Sequence, residues 1–267
     1  MIEPIGFARA LAGAKPFTQD NMNATFRGLI LLDDAGSTTT AVLKDLDARE
    51  LANELLGASL ARALELPCPA AYLTAVPPDA FTATKAPVSV EGERLVFASS
   101  DMSVPSVRFQ YLGADPERQR FLVSAVAALP MIGRYYAFDS WIANVDRNAG
   151  NLLYGGPEEA WLIDHGQILG SPAWTPAGLS ANGEYPHRLG EWLTPFLSRD
   201  QVTRAISEAY KLEHALAHVD VDAVIAASHI ASILPTGDVE AARDFLAGRL
   251  IFTGYYASKA LGEARIV

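Results

Sequence analysis

The feature that most constrains the fold is a polar stretch, NVDRNAGNLLYGGPEEAWLIDHG, which covers residues 144–166. It collects Asp146, Asn151 and Asp164 between apolar segments, FDSWIA ahead of the stretch and WLI just before Asp164. Apolar runs of this kind are usually buried, whereas Asn, Asp and Gly favour turns. The short apolar pieces on either side of GGPEE predict a two-stranded hairpin. Such a hairpin would return Asp164 to the side of Asn151.

Carboxylate and amide oxygens in this arrangement suit phosphoryl transfer. That reaction needs a carboxylate that orients the proton of the attacking hydroxyl, and oxygen ligands that hold Mg²⁺. Asp146 and Asn151 have the spacing of a D-x-x-x-x-N catalytic loop, and Asp164 follows a short strand with a glycine two positions later. We therefore predict that Asp146 is a catalytic base and that Asn151 and Asp164 are metal ligands. Taken alone, DRNAGN is typical of a solvated turn, and only the joint order of these residues favours the catalytic interpretation.

The N-terminal part supplies a cation and an acid in the matching order. TFRGLILL at 25–32 and the following TTTAVLKDL predict a β-hairpin that ends near Lys44, and residues 48–65 predict the next helix. We predict that Lys44 pairs with Glu54 on this helix and that the ammonium binds the α and β phosphates of a nucleotide. Glu50, one turn earlier, is the alternative partner. Taken singly, Lys44 is typical of a solvated strand end and Glu54 of an exposed helix surface.

The pattern of elements predicts an α+β chain in two parts. AYLTAV and RLVFASS add two strands to a β-rich part with one helix, residues 1–100, and the remainder, residues 101–267, is mainly helical and carries the small hairpin. We predict that backbone groups of Phe97, Ala98 and Ser99, in the segment that joins the parts, hydrogen-bond adenine.

Composition narrows the partners and the compartment. The net charge is −10 and no run of Lys or Arg occurs, so we expect no direct nucleic-acid or membrane partner. A single cysteine, Cys68, allows no internal disulfide, which fits a reducing compartment. The N-terminus lacks a signal-peptide pattern, and no apolar run of about 20 residues exists. These features predict a cytoplasmic protein.

The quoted segments resemble the HipA-like kinases, distant relatives of protein and phosphatidylinositol kinases. The matching pieces are AVLKDL, ELANELLGASLARALELPCP, FDSWIANVDRNAGNLL, AWLIDHG and FLAGR, and the similarity extends over about residues 20–255. The resemblance implies a bilobal protein kinase-like fold with one αC-like helix, ATP with Mg²⁺ as cofactors, and phosphorylation of Ser or Thr on a protein. By position it implies Asp146 as the catalytic base, Asn151 and Asp164 as metal ligands, and Lys44 as the phosphate-binding lysine.

Departures from the family pattern leave alternatives open. The founding toxin of the family is longer at its N-terminus and pairs with a DNA-binding antitoxin, so a toxin role and an antitoxin-like or regulatory partner are separate hypotheses. No G-x-G-x-x-G loop is present, and NMNATFRG at 21–28 takes its place, with Asn23 and Thr25 as candidate phosphate contacts. A small-molecule or lipid hydroxyl is the alternative acceptor, and a nucleotide-binding scaffold without catalysis is the alternative outside the enzyme class.

Overall fold

The first part of the chain folds into a sheet that closes on itself. The computed structural model describes residues 2–17, 23–34 and 36–263. Its first six strands are β1 (Gly6–Ala10), β2 (Lys15–Pro16), β3 (Thr25–Leu32), β4 (Thr38–Lys44), β5 (Ala71–Val76) and β6 (Arg94–Ser100). The pairings run β1-β5-β6-β4-β3, and β3 also pairs with β1. The short β2 extends the edge of β3. The closed arrangement leaves β1 with a partner on both sides.

Strand alternation decides which way Lys44 points. Ala41 and Leu43 of β4 lie with Ile30, Val96 and Ala98 in the small apolar core inside the closed sheet. Because successive side chains of a strand point to opposite faces, Lys44 projects outward from this core. The outward face of β4 is therefore the face on which the candidate site is built.

The first helix, α1 (Ala48–Ala63), is the element that connects the sheet with the helical part. Asp47 caps it, because its carboxylate accepts the backbone N–H groups of Arg49 and Glu50 at 2.9 Å each. Every residue from Leu51 to Ala61 is buried. A helix that is buried all round packs against neighbours on every side, so its orientation is fixed by the protein core rather than by solvent.

The remaining chain is mainly helical. Its helices are α2 (Val107–Leu112), α3 (Pro116–Ala127), α4 (Ile132–Trp141), α5 (Arg188–Leu193), α6 (Arg199–Leu216), α7 (Val221–Ala227), α8 (Thr236–Arg249) and α9 (Thr253–Ala260). A hairpin of β7 (Leu152–Gly156) and β8 (Glu159–Leu162) follows α4. The arrangement is thus mixed α+β, as the sequence predicts. Within the described residues no single helix has the length and apolar character to cross a bilayer, although the bent pair α3–α4 meets that test by length and composition.

The centre of the helical part is α4. Its residues Tyr135, Tyr136, Phe138 and Trp141 are fully buried and belong to the main apolar core, which also contains α1 residues and Phe97 of the sheet. Gly133 permits the close approach of α6, since a Cβ built there would lie 2.3 Å from the carbonyl oxygen of Ala205. The segment that leaves α4 is therefore held by a rigid base, and this segment carries Asp146.

Candidate active site

The β7–β8 hairpin brings the two ends of the polar stretch together. Leu152 pairs with Leu162, and the backbone N–H of Ile163 donates to the carbonyl of Asn151 at 3.2 Å. Asp164 is the next residue, so it lies beside Asn151 although thirteen positions separate them in the sequence. This is the path that the sequence pattern predicts for the hairpin.

Further backbone bonds tie the segment before the hairpin to the segment after it. The N–H of Leu169 donates to Ile142 O at 2.8 Å, and the N–H of Gly170 donates to Ala143 O at 2.9 Å. With the bond at Asn151, the chain around Asp146 is held to the chain around Asp164 at both ends. The relative positions of the two carboxylates are therefore set by the backbone.

Two amide side chains orient the Asp146 carboxylate. Its Oδ2 accepts hydrogen bonds from Asn148 Nδ2 at 3.1 Å and from Asn151 Nδ2 at 3.3 Å. Asn151 Nδ2 also donates to the Asp146 carbonyl at 2.6 Å. Because the amide nitrogen of Asn151 is used in this way, its Oδ1 points elsewhere and can accept a cation. Asp146 Oδ1 has no hydrogen-bond partner among the described residues.

A three-residue ion cluster joins the sheet, α1 and the segment after the hairpin. Lys44 Nζ lies 2.6 Å from Glu54 Oε1 and 3.2 Å from Asp164 Oδ1. The second oxygen of Glu54 accepts the backbone N–H of His165 at 2.7 Å. Glu50, the alternative partner in the sequence, contacts Asn23 instead, at 3.3 Å. The structure therefore pairs Lys44 with Glu54.

Burial and charge both act on this cluster. Burial opposes a charge on Lys44, but the carboxylates of Asp164 and Glu54 outweigh it and raise the pKa of the ammonium. Burial raises the pKa of Glu54 to about 7, against the attraction of Lys44. Burial also favours the neutral form of Asp164, but the charge of Lys44 outweighs it and lowers the pKa of this carboxyl. Lys44 and Asp164 thus carry full charges at neutral pH.

Asp164 sits at a strained backbone position. Its φ is +61°, in the left-handed region that residues other than glycine seldom occupy. Asp and Asn are the side chains that tolerate this region best, and such positions concentrate at functional sites. The turn leaves the side chain 44% exposed while Lys44 holds Oδ1. Part of the Asp164 carboxylate thus stays exposed to solvent.

Helix α1 packs directly on the residues after Asp164. Asn53 Nδ2 donates to Gly166 O at 2.8 Å, and Asn53 Oδ1 accepts Trp174 Nε1 at 2.9 Å. A Cβ built on Gly57 would lie 2.3 Å from His165 Cβ, so only glycine permits this approach. Sequence reasoning missed Asn53 and Gly57, because their partners are more than 100 positions away.

Gly57 provides a direct test of this packing. We expect Gly57→Ala to destabilise the protein by about 1–3 kcal/mol, because the added methyl group overpacks the contact with His165. The matched control is Gly237→Ala in α8, where a Cβ would meet no atom within 4 Å. Urea unfolding followed by circular dichroism measures both. Equal midpoints for the two variants would contradict the tight contact.

Arg147 supports the site from beneath and is fully buried. Its guanidinium lies 3.1 Å from Asp139 Oδ1, and both side chains are 0% exposed. It also donates to the carbonyl oxygens of Asn151, at 3.2 Å, and Ile163. One arginine therefore holds both strands of the hairpin at the point where Asn151 and Asp164 emerge. Sequence analysis did not assign its partner, Asp139, although an acidic residue inside the apolar segment FDSWIA indicates a buried charge that needs a partner.

Two further polar side chains near the site are structural. His165 Nδ1 accepts Arg147 Nη2 at 3.1 Å, and burial lowers the pKa of this imidazole, which keeps it neutral. Burial also raises the pKa of the Cys68 thiol to about 12, so Cys68 is no thiolate nucleophile at neutral pH.

The adenine contact expected from the sequence needs correction. Strand β6 has neighbours on both sides at Phe97, Ala98 and Ser99, which pair with β4 on one side and with β5 on the other. Their backbone groups are thus used by the sheet and are not free for a base. The Phe97 ring instead lies behind Lys44, with its centroid 5.9 Å from Nζ.

The predicted phosphate contacts near residue 23 serve the protein itself. Asn23 Oδ1 accepts Lys85 Nζ at 2.8 Å, and the Thr25 hydroxyl donates to the Asn23 carbonyl at 3.1 Å. Asn21 and Met22, which belong to the same predicted loop, lie outside the described residues. The sequence that connects β2 to β3, residues 17–24, contains no glycine.

A buried arginine also anchors the long loop after Asp164. Arg249, the last residue of the FLAGR segment, donates from Nη1 to Ala181 O at 2.9 Å and to Gly183 O at 2.8 Å. Its Nε donates to Ser140 O in α4 at 2.7 Å. The loop is therefore held at two points, by Arg249 near its end and by Trp174 on α1.

Comparison with known proteins agrees with this geometry. A sequence model of the HipA-like kinase family matches residues 42–218. Among solved structures, the Helicobacter pylori proinflammatory kinase CtkA is similar with a TM-score of 0.59 at 12% sequence identity, over 96% of this chain and 98% of that chain. At this identity the likeness shows a kinase-like fold and nothing finer. No curated protein sequence matches the chain.

The matched region includes the whole candidate site. It begins just before Lys44, contains Glu54 on α1, and continues through Asp146, Asn151 and Asp164. The resemblance drawn from the sequence segments is thus confirmed, since the match covers well over half of the chain. Because the family model matches residues 42–218, the protein belongs to the HipA-like kinase family.

Proposed function

We propose that this kinase transfers the γ-phosphate of ATP, with Mg²⁺, to the hydroxyl of a serine or threonine on a protein. The observation that carries the proposal is the convergence of Lys44, Glu54 and Asp164, with Lys44 Nζ at 2.6 and 3.2 Å from the two carboxylates. Three separate elements meet there: β4 carries Lys44, the buried helix α1 carries Glu54, and the β7–β8 hairpin leads into Asp164. This arrangement presents one ammonium and one accessible carboxylate to a polyphosphate.

The nucleotide would lie between the outward face of β4 and the hairpin. Lys44, held by Glu54, would bind the α and β phosphates. The adenine would contact backbone groups of residues 102–104, which follow β6, since the Asp101 N–H and the Pro105 carbonyl are already bonded to Thr40 and Tyr154. This location fits a division into a β-rich N-lobe, 1–100, in which α1 has the place of an αC-like helix, and a helical C-lobe, 101–267.

The donor set fits Mg²⁺. Asn151 presents an amide oxygen, since its nitrogen is used by Asp146, and Asp164 presents a carboxylate oxygen not held by Lys44. Magnesium prefers such oxygen ligands and keeps part of its water shell in sites of this kind. When bound, the ion supplies positive charge against the phosphate oxygens. We therefore assign Asn151 and Asp164 as its ligands.

Asp146 would orient the acceptor hydroxyl and take its proton. Asn148 and Asn151 fix its Oδ2, which leaves Oδ1 free to accept the hydrogen bond of an incoming hydroxyl. The single cysteine fits a reducing, cytoplasmic compartment, and the net charge of −10 disfavours nucleic acid and anionic lipid as partners.

A labelling experiment tests the proposal. The purified protein is incubated with γ-labelled ATP and Mg²⁺ in separate arms with a Ser/Thr peptide library, lipid vesicles and a set of small polyols. We expect label on peptides, loss of label in the presence of a chelator, and weaker nucleotide binding by Lys44→Met. Label on lipid or polyol alone would replace the acceptor class. Nucleotide binding with no labelled product would favour a scaffold, an alternative that the glycine-free β2–β3 turn supports.

A further inference from the structure

Helix α2 is attached to the hairpin that carries Asn151. Ser106, its N-cap, forms a backbone bridge with Leu153 of β7. The N–H of Tyr154 donates to Pro105 O at 3.2 Å, and Gln110 Nε2 donates to Tyr154 O at 2.6 Å. These bonds fix the start of α2 relative to the β7–β8 hairpin. A molecule bound to α2 would therefore be positioned relative to Asp146, which precedes the hairpin.

Arg108 of α2 lies next to Gly150, the residue before Asn151. A Cβ built on Gly150 would lie 3.7 Å from Arg108 Cδ, which places the arginine stem over the residue before Asn151. Arg108 is exposed and forms no ion pair or side-chain hydrogen bond within the part of the chain that the structure describes. In a chain with 31 acidic and 21 basic side chains, its guanidinium is thus available to an outside anion.

Exposed apolar side chains are concentrated in helices α2 and α3. Of the ten large apolar side chains that are exposed in the described residues, four lie within residues 109–121. They are Phe109 at 57%, Tyr111 at 40%, Leu112 at 73% and Phe121 at 75% exposure. Exposed apolar groups concentrated in this way mark interaction sites.

The charge of this region differs from that of the whole protein. Residues 102–127 contain three arginines, Arg108, Arg118 and Arg120, against Asp115 and Glu117, whereas the chain carries a net charge of −10. A partner that combines apolar side chains with acidic ones fits both properties of the surface. A polypeptide supplies both apolar side chains and carboxylates, whereas nucleic acid supplies no apolar side chains.

We propose that the α2–α3 surface, residues 107–121, docks the protein substrate. Apolar side chains of the substrate contact Phe109, Leu112 and Phe121, and an acidic residue close to the acceptor Ser or Thr pairs with Arg108. This inference rests on the proposed function, because it requires a protein hydroxyl at Asp146. It adds the substrate class: acceptor sites with a nearby Asp or Glu and an apolar anchor.

The test uses Ser/Thr peptide libraries in which single flanking positions are fixed as Asp, Glu, Lys, Arg or Leu. We expect wild-type protein to prefer acidic flanking residues, and Arg108→Glu to lower kcat/KM for those peptides about tenfold and to favour basic ones, since attraction becomes repulsion. The KM for ATP stays unchanged. A Leu112→Ser/Phe121→Ser variant is expected to lose the preference for the fixed Leu. Arg243→Glu, an exposed arginine on α8, serves as the charge control.

The outcomes separate this inference from the proposed function. If wild-type protein phosphorylates the libraries but Arg108→Glu and Arg243→Glu show the same flanking preference as wild type, the docking surface is refuted and the kinase function stands. If wild-type protein labels no peptide and labels lipid or polyol instead, both fall together. A reversed preference in Arg108→Glu alone supports the assignment.

Discussion

Asp146→Asn is expected to reduce kcat for phosphoryl transfer by about 100- to 10,000-fold, because an amide cannot take the proton of the acceptor hydroxyl. The substitution is isosteric and retains an oxygen that can accept the bonds from Asn148 and Asn151. Nucleotide binding should therefore change little. Single-turnover labelling with ATP measures the first effect, and titration calorimetry with Mg²⁺ and a non-hydrolysable nucleotide measures the second.

Asp164→Asn is the matched control for this result. It removes a charge of the same size from the other carboxylate of the site, but it acts on a proposed metal ligand that also contacts Lys44. We expect it to weaken Mg²⁺-dependent nucleotide binding, which Asp146→Asn leaves intact. An Asp146→Asn variant with wild-type kcat would show that Asp146 is not the base.

The second large effect concerns the buried pair beneath the site. Arg147→Met is expected to cost about 3–5 kcal/mol of unfolding free energy, because it leaves Asp139 charged, buried and without its partner. The carbonyl oxygens of Asn151 and Ile163 lose their donor in the same step. Urea unfolding followed by circular dichroism reports the loss as a lower midpoint.

A double substitution identifies the cause of that loss. If the uncompensated charge dominates, Arg147→Met combined with Asp139→Leu should be more stable than Arg147→Met alone, since no isolated charge remains. Arg188→Met, which removes an exposed arginine paired with Glu191, is expected to change stability by no more than about 0.5 kcal/mol. Equal losses for Arg147→Met and Arg188→Met would contradict the buried-pair explanation.

The sequence was most informative where local pattern and chemistry coincided. Thr and Val in β4, the apolar repeat of α1 and the turn GGPEE between β7 and β8 each predicted an element that the structure contains. The order of Lys44, Glu54, Asp146, Asn151 and Asp164 predicted the family, which the comparison confirms. Their individual roles in catalysis remain predictions.

The sequence was least informative where a partner far along the chain decides the structure. Strand β1 has the composition GFARA, which has weak strand propensity, and it forms because β3 and β5 offer it edges. The adenine contact was misplaced because pairing of β6 on both sides cannot be read from RLVFASS. The same reason hid the contact between Asn53 and Trp174, which meet across 121 positions.

The contact between Gly57 and His165 limits how this kinase can be regulated. With no gap between the helix backbone and the imidazole, a rotation of α1 would drive the side chain of Leu56 or Ala58 into the space that His165 occupies. Inhibitors that act by pushing this helix outward would have to break the main core as well. We therefore expect regulation to act on the binding of substrates. Inhibitors that block substrate binding at the surface should be more effective than inhibitors that require α1 to move.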